Sequence, residues 1–234
     1  GLLFFAQNTN AEESLSFSIK GKIHFTNVYT VTVNPNGGTY QNSTDPITTK
    51  LREGETYHVD AVARDTYEFV SWEVSTGTLD SNNNIEVHSD INIKALWNEI
   101  YYTLTIKPNG GLYGGSEQDY TESFRPNEYA DILTPTRTGY DFTGWTSSTS
   151  ESVSNNRIKI TEDTTITANW SIKRLNLTIN PSGGKFNGST ETYSTIVDYG
   201  TEINLTNITR ENHEFKNWTK NNTDTIPATT ESII

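Results

Sequence analysis

Apolar and polar residues alternate in short runs along most of this chain, and three of the runs carry the same pattern. Tyr29, Val31 and Val33 alternate with Thr30 and Thr32, and Tyr102, Leu104 and Ile106 with Thr103 and Thr105. Leu175, Leu177 and Ile179 alternate with Asn176 and Thr178. Period two, with β-branched residues well represented, predicts half-buried strands. Each run stops at the same kind of turn: Pro35-Asn36-Gly37-Gly38, Pro108-Asn109-Gly110-Gly111 and Pro181-Ser182-Gly183-Gly184. Proline has no N–H with which to continue a ladder, and glycine admits positive φ, so a turn is expected there. An aromatic residue follows each turn: Tyr40, Tyr113 and Phe186.

The rest of each unit reads in the same way. Gly54, Asn127 and Gly200 share a position and tolerate left-handed backbone, which predicts a second turn. Tyr57-x-Val59, Ala130-x-Ile132 and Ile203-x-Leu205 then predict another strand. The preceding stretch, Pro46 to Arg52, admits a short helix. Tyr67-x-Phe69-x-x-Trp72, Tyr140-x-Phe142-x-x-Trp145 and His213-x-Phe215-x-x-Trp218 predict a strand whose first two marked residues share one face. Polar loops follow, Ser81 to Asn84 and Ser147 to Asn156. Ile93-x-Ala95-x-Trp97 and Ile166-x-Ala168-x-Trp170 predict a closing strand.

These landmarks keep one register. The prolines at 35, 108 and 181 lie 73 residues apart, and so do Arg64, Arg137 and Arg210, each of which precedes a Trp by eight residues. A step this strict marks a tandem array of like units. The expected units are 28–99, 100–172 and 173–234, the third stopping before its closing strand, because the next Trp of that series would fall at 243. Residues 1–27 are expected to form strands over Leu2–Gln7 and Ser18–Phe25. They would be either the divergent second half of a preceding unit or the last hairpin of an unrelated domain. Only Asn98 to Tyr101 and Ser171 to Arg174 join one unit to the next, which leaves little room for swing.

Composition narrows the function classes. The chain has 234 residues with 32% hydrophobic residues, so each unit of about 70 residues is short of aliphatic surface. Aromatics at 11% compensate, and all five Trp are expected in the core rather than on a sugar-stacking platform. Net charge is −12, with 29 acidic and 17 basic residues and no basic cluster. That balance argues against nucleic acid and against an anionic membrane surface as partners. Without Cys there is no disulfide, thiolate nucleophile or Cys-ligated zinc. Leu2 to Ala6 is too short to span a bilayer. It could be the tail of a signal peptide cut near Thr9-Asn10-Ala11, though no charged n-region precedes it.

Candidate chemistry is sparse. Asp80-Ser81-Asn82-Asn83-Asn84 begins like a calcium loop, but Ile85 stands where Gly is needed and Ile91 where a bidentate Glu is needed. A hairpin turn is the better reading. Gly183-Gly184-Lys185 invites a phosphate loop, yet the first Gly of that motif would fall on Ile179. His24, His58, His88 and His213 occupy different repeat positions without ligand spacing. No paired carboxylates recur at a strand end, and no Ser–His–Asp arrangement finds support. Arg64, Arg137 and Arg210 are the recurring charged residues. They either present guanidinium to an acidic or sugar partner, or bond turn carbonyls and stack on a Tyr or Trp.

The set of motifs, strand-Pro-Asn-Gly-Gly-x-Tyr, then Arg-x-Gly-Tyr-x-Phe-x-Gly-Trp, then Ile-x-Ala-x-Trp, resembles the Listeria–Bacteroides repeat, also called the internalin B-type repeat. The second unit matches best, with Arg137, Gly139, Tyr140, Phe142, Gly144 and Trp145 all in place. The first has Thr66 and Ser71 at the two glycine positions, and the third has Asn212 and Asn217 there with His213 for the Tyr. The resemblance covers residues 28–234 and implies a mainly β fold of small β-grasp (ubiquitin-like) modules. It implies location in the extracellular part of a bacterial cell-surface protein, with no catalytic residues and no cofactor. The expected object is an elongated rod of units serving as a stalk or adhesion module. A host or cell-wall protein or glycan and the neighbouring repeats are its partner classes, and wall anchoring would lie outside this chain. The alternative is a carbohydrate- or protein-binding module with specific loop contacts. If the first and closing strands of a unit run parallel, the chain enters a unit at one pole and leaves at the other.

Overall fold

The computed structural model describes residues 21–220, 224–227 and 232–233. Among them every regular element is a strand. The first repeat contributes β1 (Val28–Asn34), β2 (Thr39–Tyr40), β3 (Ile47–Arg52), β4 (Thr56–His58), β5 (Val62–Ala63), β6 (Tyr67–Val74), β7 (Asn84–Glu86) and β8 (Ile91–Glu99). The second contributes β9 (Tyr102–Lys107), β10 (Tyr120–Phe124), β11 (Tyr129–Asp131), β12 (Tyr140–Ser147), β13 (Arg157–Lys159) and β14 (Thr164–Ile172). The third contributes β15 (Arg174–Ile179), β16 (Lys185–Phe186), β17 (Tyr193–Asp198), β18 (Ile203–Asn204), β19 (Ile208–Thr209), β20 (Asn217–Lys220), β21 (Asp224–Pro227) and β22 (Ser232–Ile233). By compactness the chain divides between Asn98 and Glu99, so the second and third repeats share one unit.

In the first repeat the main sheet has the order β3-β1-β8-β6, and in the second β10-β9-β14-β12. The central pair is parallel in both: Val31 faces Ile91 and Val33 faces Ile93, and Leu104 faces Thr164 and Ile106 faces Ile166. The outer partners are antiparallel. First and closing strands therefore run side by side in one direction, an arrangement compatible with the expected β-grasp sheet. A second small sheet (β4 with β7, β11 with β13) covers the inner face.

The alternation read from the sequence sets the inside. Val31, Val33, Tyr40, Val59, Ile85, Val87, Ile91 and Ile93 form the buried core of the first repeat. Leu104, Ile106, Tyr113, Ala130, Ile132, Ile158, Ile160 and Ile166 form that of the second. The third buries only Ile179, Phe186 and Leu205. Here β15 pairs with β17 and β20 with β21, and among the described residues no strand pairs with both β15 and β20.

Two expectations fail. Pro46 to Arg52 is not helical: Ile47–Arg52 is strand β3, antiparallel to β1. Ile47, Thr49 and Leu51 point inward on alternate positions, and Ile47 and Leu51 pack on the core, so period two wins over the local helical option. Residues 21–27 form no strand, and Ile23 and Phe25 are almost fully exposed. The strands expected over Leu2–Gln7 and the start of Ser18–Phe25 lie outside the described residues.

The join between the second and third repeats is a single residue, Lys173. Its N–H donates to the Gly139 carbonyl at 2.8 Å, and its carbonyl accepts the Tyr199 N–H at 2.8 Å. The Tyr199 ring lies against Gly139 so closely that a Cβ there would collide with it.

Candidate functional site

The recurring residues converge on the turn that ends the first strand. In the first repeat Gly38 N–H closes the turn onto Pro35 O at 3.0 Å. Asn36 and Gly37 both have positive φ (50° and 87°), the signature of a type I′ turn. The Asn34 side chain accepts the Asn36 N–H at 2.8 Å, and Asn36 Nδ2 donates to Ala95 O on β8 at 2.9 Å. The turn is thus tied to the closing strand, and Asn109 Nδ2 repeats the bond to Ala168 O at 2.9 Å.

The closing-strand Trp completes the arrangement. Trp97 Nε1 donates to Pro35 O at 3.0 Å, and Trp170 Nε1 to Pro108 O at 3.0 Å. Each indole lies flat enough on Gly38 or Gly111 that a Cβ would enter the ring. Here glycine serves close approach rather than positive φ. Phe69 meets Trp97 edge-on at 5.7 Å and Trp72 at 5.2 Å. Phe142 meets Trp170 at 5.6 Å and Trp145 at 5.3 Å.

Phe142 and Trp145 are three residues apart, so an unbroken strand would send them to opposite faces. The register shifts between Phe142, opposite Trp170, and Gly144, opposite Asn169. That bulge leaves Thr143 without an opposite number and returns Trp145 to the face of Phe142. Gly144 takes φ 134° at the bulge. The expectation that all Trp are core needs correction: all five are half-buried. Trp72, Trp145 and Trp218 pack against the rim of their cores, while Val, Ile and Tyr40 or Tyr113 fill the centre. An indole is too large to fit entirely under so thin a module.

Arg64 and Arg137 take the structural role. Each guanidinium lies over the turn glycine and on a Tyr ring, 3.6 Å from the Tyr67 centroid and 3.9 Å from that of Tyr140. Each also donates through Nη1 to a turn carbonyl, Asn36 O or Asn109 O, at 3.3 Å. In the third repeat Arg210 again lies near the turn, its Cζ 3.7 Å from a Cβ built at Gly183. The divergent Thr66 and Asn212 adopt the same positive φ as Gly139 (61° and 64° against 78°), so the turn keeps its geometry at a backbone cost for Thr66.

Other polar candidates serve their own loops. Asp80 Oδ1 accepts the backbone N–H of Asn82 and of Asn84, both at 2.8 Å. The Asn84 backbone bond, more than any other cause, holds the Asp80 carboxyl below its ordinary range. Lys185 is exposed at the start of β16, opposite Thr209. His58 contacts Asn84 and Asp60, His88 contacts Glu86, and His213 contacts the Glu211 carbonyl, so the histidines stay apart. Among the described residues no group of three His, Cys, Asp or Glu converges. Inside the first repeat the Tyr40 hydroxyl bonds that of Tyr57 at 3.1 Å, and burial pushes the Tyr40 phenol far above its usual pKa.

Sequence reasoning found the residues and missed two of their pairings, the indole on Pro O and the Asn amide on Ala O. Their only trace was a pair of constant intervals, 62 residues from Pro35 to Trp97 and from Pro108 to Trp170, and 59 from Asn36 to Ala95 and from Asn109 to Ala168.

Comparison with known families agrees with this geometry. Residues 29–101 and 175–234 match the Divergent InlB B-repeat domain, and residues 102–169 match the Listeria-Bacteroides repeat domain. No curated protein matches the chain. The two family models together cover each strand-turn-aromatic unit in turn, and the chain belongs to the InlB B-repeat (Listeria–Bacteroides repeat) family.

Proposed function

We propose that this chain is a non-enzymatic tandem-repeat segment of a bacterial cell-surface protein, acting as a stalk or adhesion module. The observation that carries the reading is the parallel pairing of first and closing strands in both complete repeats. A unit built this way receives the chain at one end of its sheet and releases it at the other. A nine-residue strand such as β8 or β14 advances the chain by about 30 Å. The recurring side chains support the same reading, because Arg64, Arg137, Trp97 and Trp170 spend their polar groups on the turns of their own repeat. Among the described residues no helix is long and apolar enough to cross a membrane.

The test places the chain between a wall anchor and an epitope on a bacterial surface, with repeat number varied, and measures antibody access in an intact capsule layer. A stalk gives access that rises with each repeat while the purified chain binds neither host cells nor a glycan array. Saturable glycan or host-protein binding, abolished by loop substitutions that leave the melting temperature unchanged, would establish a specific binding module instead.

A further inference from the structure

The chain contains three Asn-Gly pairs, Asn36-Gly37, Asn109-Gly110 and Asn187-Gly188. An asparagine before glycine is open to attack on its own side-chain amide, because the next backbone nitrogen has no neighbouring Cβ to hinder its approach. The structure places the three pairs in different surroundings. Asn36 Nδ2 and Asn109 Nδ2 donate to Ala95 O and Ala168 O, each at 2.9 Å. The guanidinium groups of Arg64 and Arg137 lie over Gly37 and Gly110.

Asn187 and Gly188 instead form the exposed tip of a two-residue turn, with φ 49° and 82°. Phe186 N–H donates to Ser189 O at 2.9 Å, and Ser189 N–H to Phe186 O at 3.0 Å. A Cβ built at Gly188 would meet no atom within 4 Å. The Asn187 side chain is held by its oxygen: Asn207 Nδ2 donates to Asn187 Oδ1 at 2.9 Å. Asn187 N–H donates to Asn207 O at 2.9 Å, which keeps the two residues together. The matching positions are Gln41, Asn42 and Ala61 in the first repeat and Gly114, Gly115 and Thr134 in the second, so the trio belongs to the third repeat. The two kinds of bond act in opposite senses. At Asn36 and Asn109 the amide nitrogen is the donor, which feeds electron density towards Cγ and ties the group to the closing strand. At Asn187 the oxygen is the acceptor, which draws density from Cγ, and such a bond strengthens as negative charge develops on that oxygen.

We propose that Asn187 is a self-modification site, at which the Gly188 nitrogen closes a succinimide on Asn187 Cγ with Asn207 Nδ2 as oxyanion donor. Hydroxide takes the Gly188 N–H proton, and the nitrogen forms a bond to Cγ while the C=O electron pair moves onto Oδ1. Collapse of that intermediate breaks the Cγ–Nδ2 bond, and the nitrogen leaves as ammonia with a proton from water. Water then opens the imide at either carbonyl, giving aspartate or isoaspartate. Both products add one negative charge beside Asn207. Isoaspartate also routes the main chain through Cβ and Cγ, and a turn lengthened by that methylene cannot keep both Phe186–Ser189 bonds. Those bonds hold the backbone of Phe186, whose ring is buried and meets Trp218 edge-on at 6.0 Å. The modification therefore acts as a one-way clock that loosens the third repeat.

The experiment incubates the whole 234-residue chain, folded, in mildly alkaline buffer made with heavy-oxygen water. Proteolysis and mass spectrometry then follow conversion at each Asn-Gly pair, and isoaspartate is counted separately. Asn187 should convert on the order of tenfold faster than Asn36 or Asn109, the factor that loss of about one hydrogen bond's free energy from the barrier produces. In concentrated urea the three rates should draw together, because the surroundings that separate them are gone. Asn207 is exposed, so Asn207→Ala and Asn207→Asp both leave the fold intact, which an unchanged melting temperature checks. Each variant removes the donor and should slow conversion at Asn187 several-fold while leaving Asn36 and Asn109 as they were. A folded chain in which Asn187 converts no faster than the other two would overturn the proposal. So would Asn207 variants that convert at the parental rate, or faster, since Asn207 would then be a bystander or a restraint.

Discussion

Removing one indole, by Trp170→Ala, tests whether the aromatic seat holds the second repeat together. Three losses can be sized from the structure. The Nε1–Pro108 O bond of 3.0 Å contributes about 1 kcal/mol net. The edge contact with Phe142, with centroids 5.6 Å apart, contributes about 0.5–1.5 kcal/mol beyond area. A half-buried indole keeps roughly 100 Å² from water, which at about 25 cal/mol per Å² is about 2.5 kcal/mol. Together these predict a destabilisation of about 4 kcal/mol, at the scale usually found for deleting a buried aromatic. For a module of this size that lowers its melting temperature by roughly 15–30 °C. Urea unfolding followed by far-ultraviolet circular dichroism, with hydrogen exchange to locate the loss in residues 102–172, is the assay. Trp170→Phe, which retains the ring but not the N–H, should recover more than half of the stability. A Trp170→Ala chain within about 1 kcal/mol of the parent would refute the argument that the indole is structural. If that chain had also lost glycan binding, the surface would be a recognition platform.

Arg137→Ala should cost about 1–2 kcal/mol through the Tyr140 face and the Asn109 carbonyl, and Arg137→Lys should not recover it, because an ammonium cannot stack and reach the turn together; urea midpoints decide. Gly111→Ala places a methyl in the Trp170 ring and against Thr136 O, so it should cost about 1–3 kcal/mol and shift the tryptophan emission to the red. Asp80, whose carboxyl is held low chiefly by the Asn84 backbone N–H, should titrate below the ordinary Asp range in NMR. The linkage has a definite sign: the folded pKa is depressed, so the hairpin gains from the carboxylate above the unfolded pKa and loses that gain as pH falls through the folded value. Asp80→Ala should speed amide exchange at Asn84 without altering the core. Tyr199→Ala should remove the ring packed on Gly139 and loosen the join of the second and third repeats, seen as faster exchange at the Lys173 amide.

The sequence by itself determined the repeat, the first and closing strands of each complete unit and the face those strands turn inward. Period-two alternation leaves one choice of inside for Val31 and Val33, for Leu104 and Ile106 and for Ile93 and Ala95, and the type I′ turn follows from Asn-Gly after Pro. It was weaker wherever neighbours in space decide. Ile47–Arg52 is a strand because β1 offers it an antiparallel edge, which no local propensity records. The short runs around Ile85 and Ile158 carry too little alternation to announce strands, yet those two isoleucines are buried where β4 and β11 stand beside them. Trp145 faces Phe142 only because a bulge at Gly144 changes the parity of the strand, and no interval in the sequence fixes where a bulge falls. The partner of the Trp170 N–H lies 62 residues away, and the parallel pairing of β9 with β14 is what brings Pro108 O to it. Alternation is written residue by residue and can be read from the chain. Long-range pairing depends on which edges remain free as the sheet closes, and only the tertiary structure decides that.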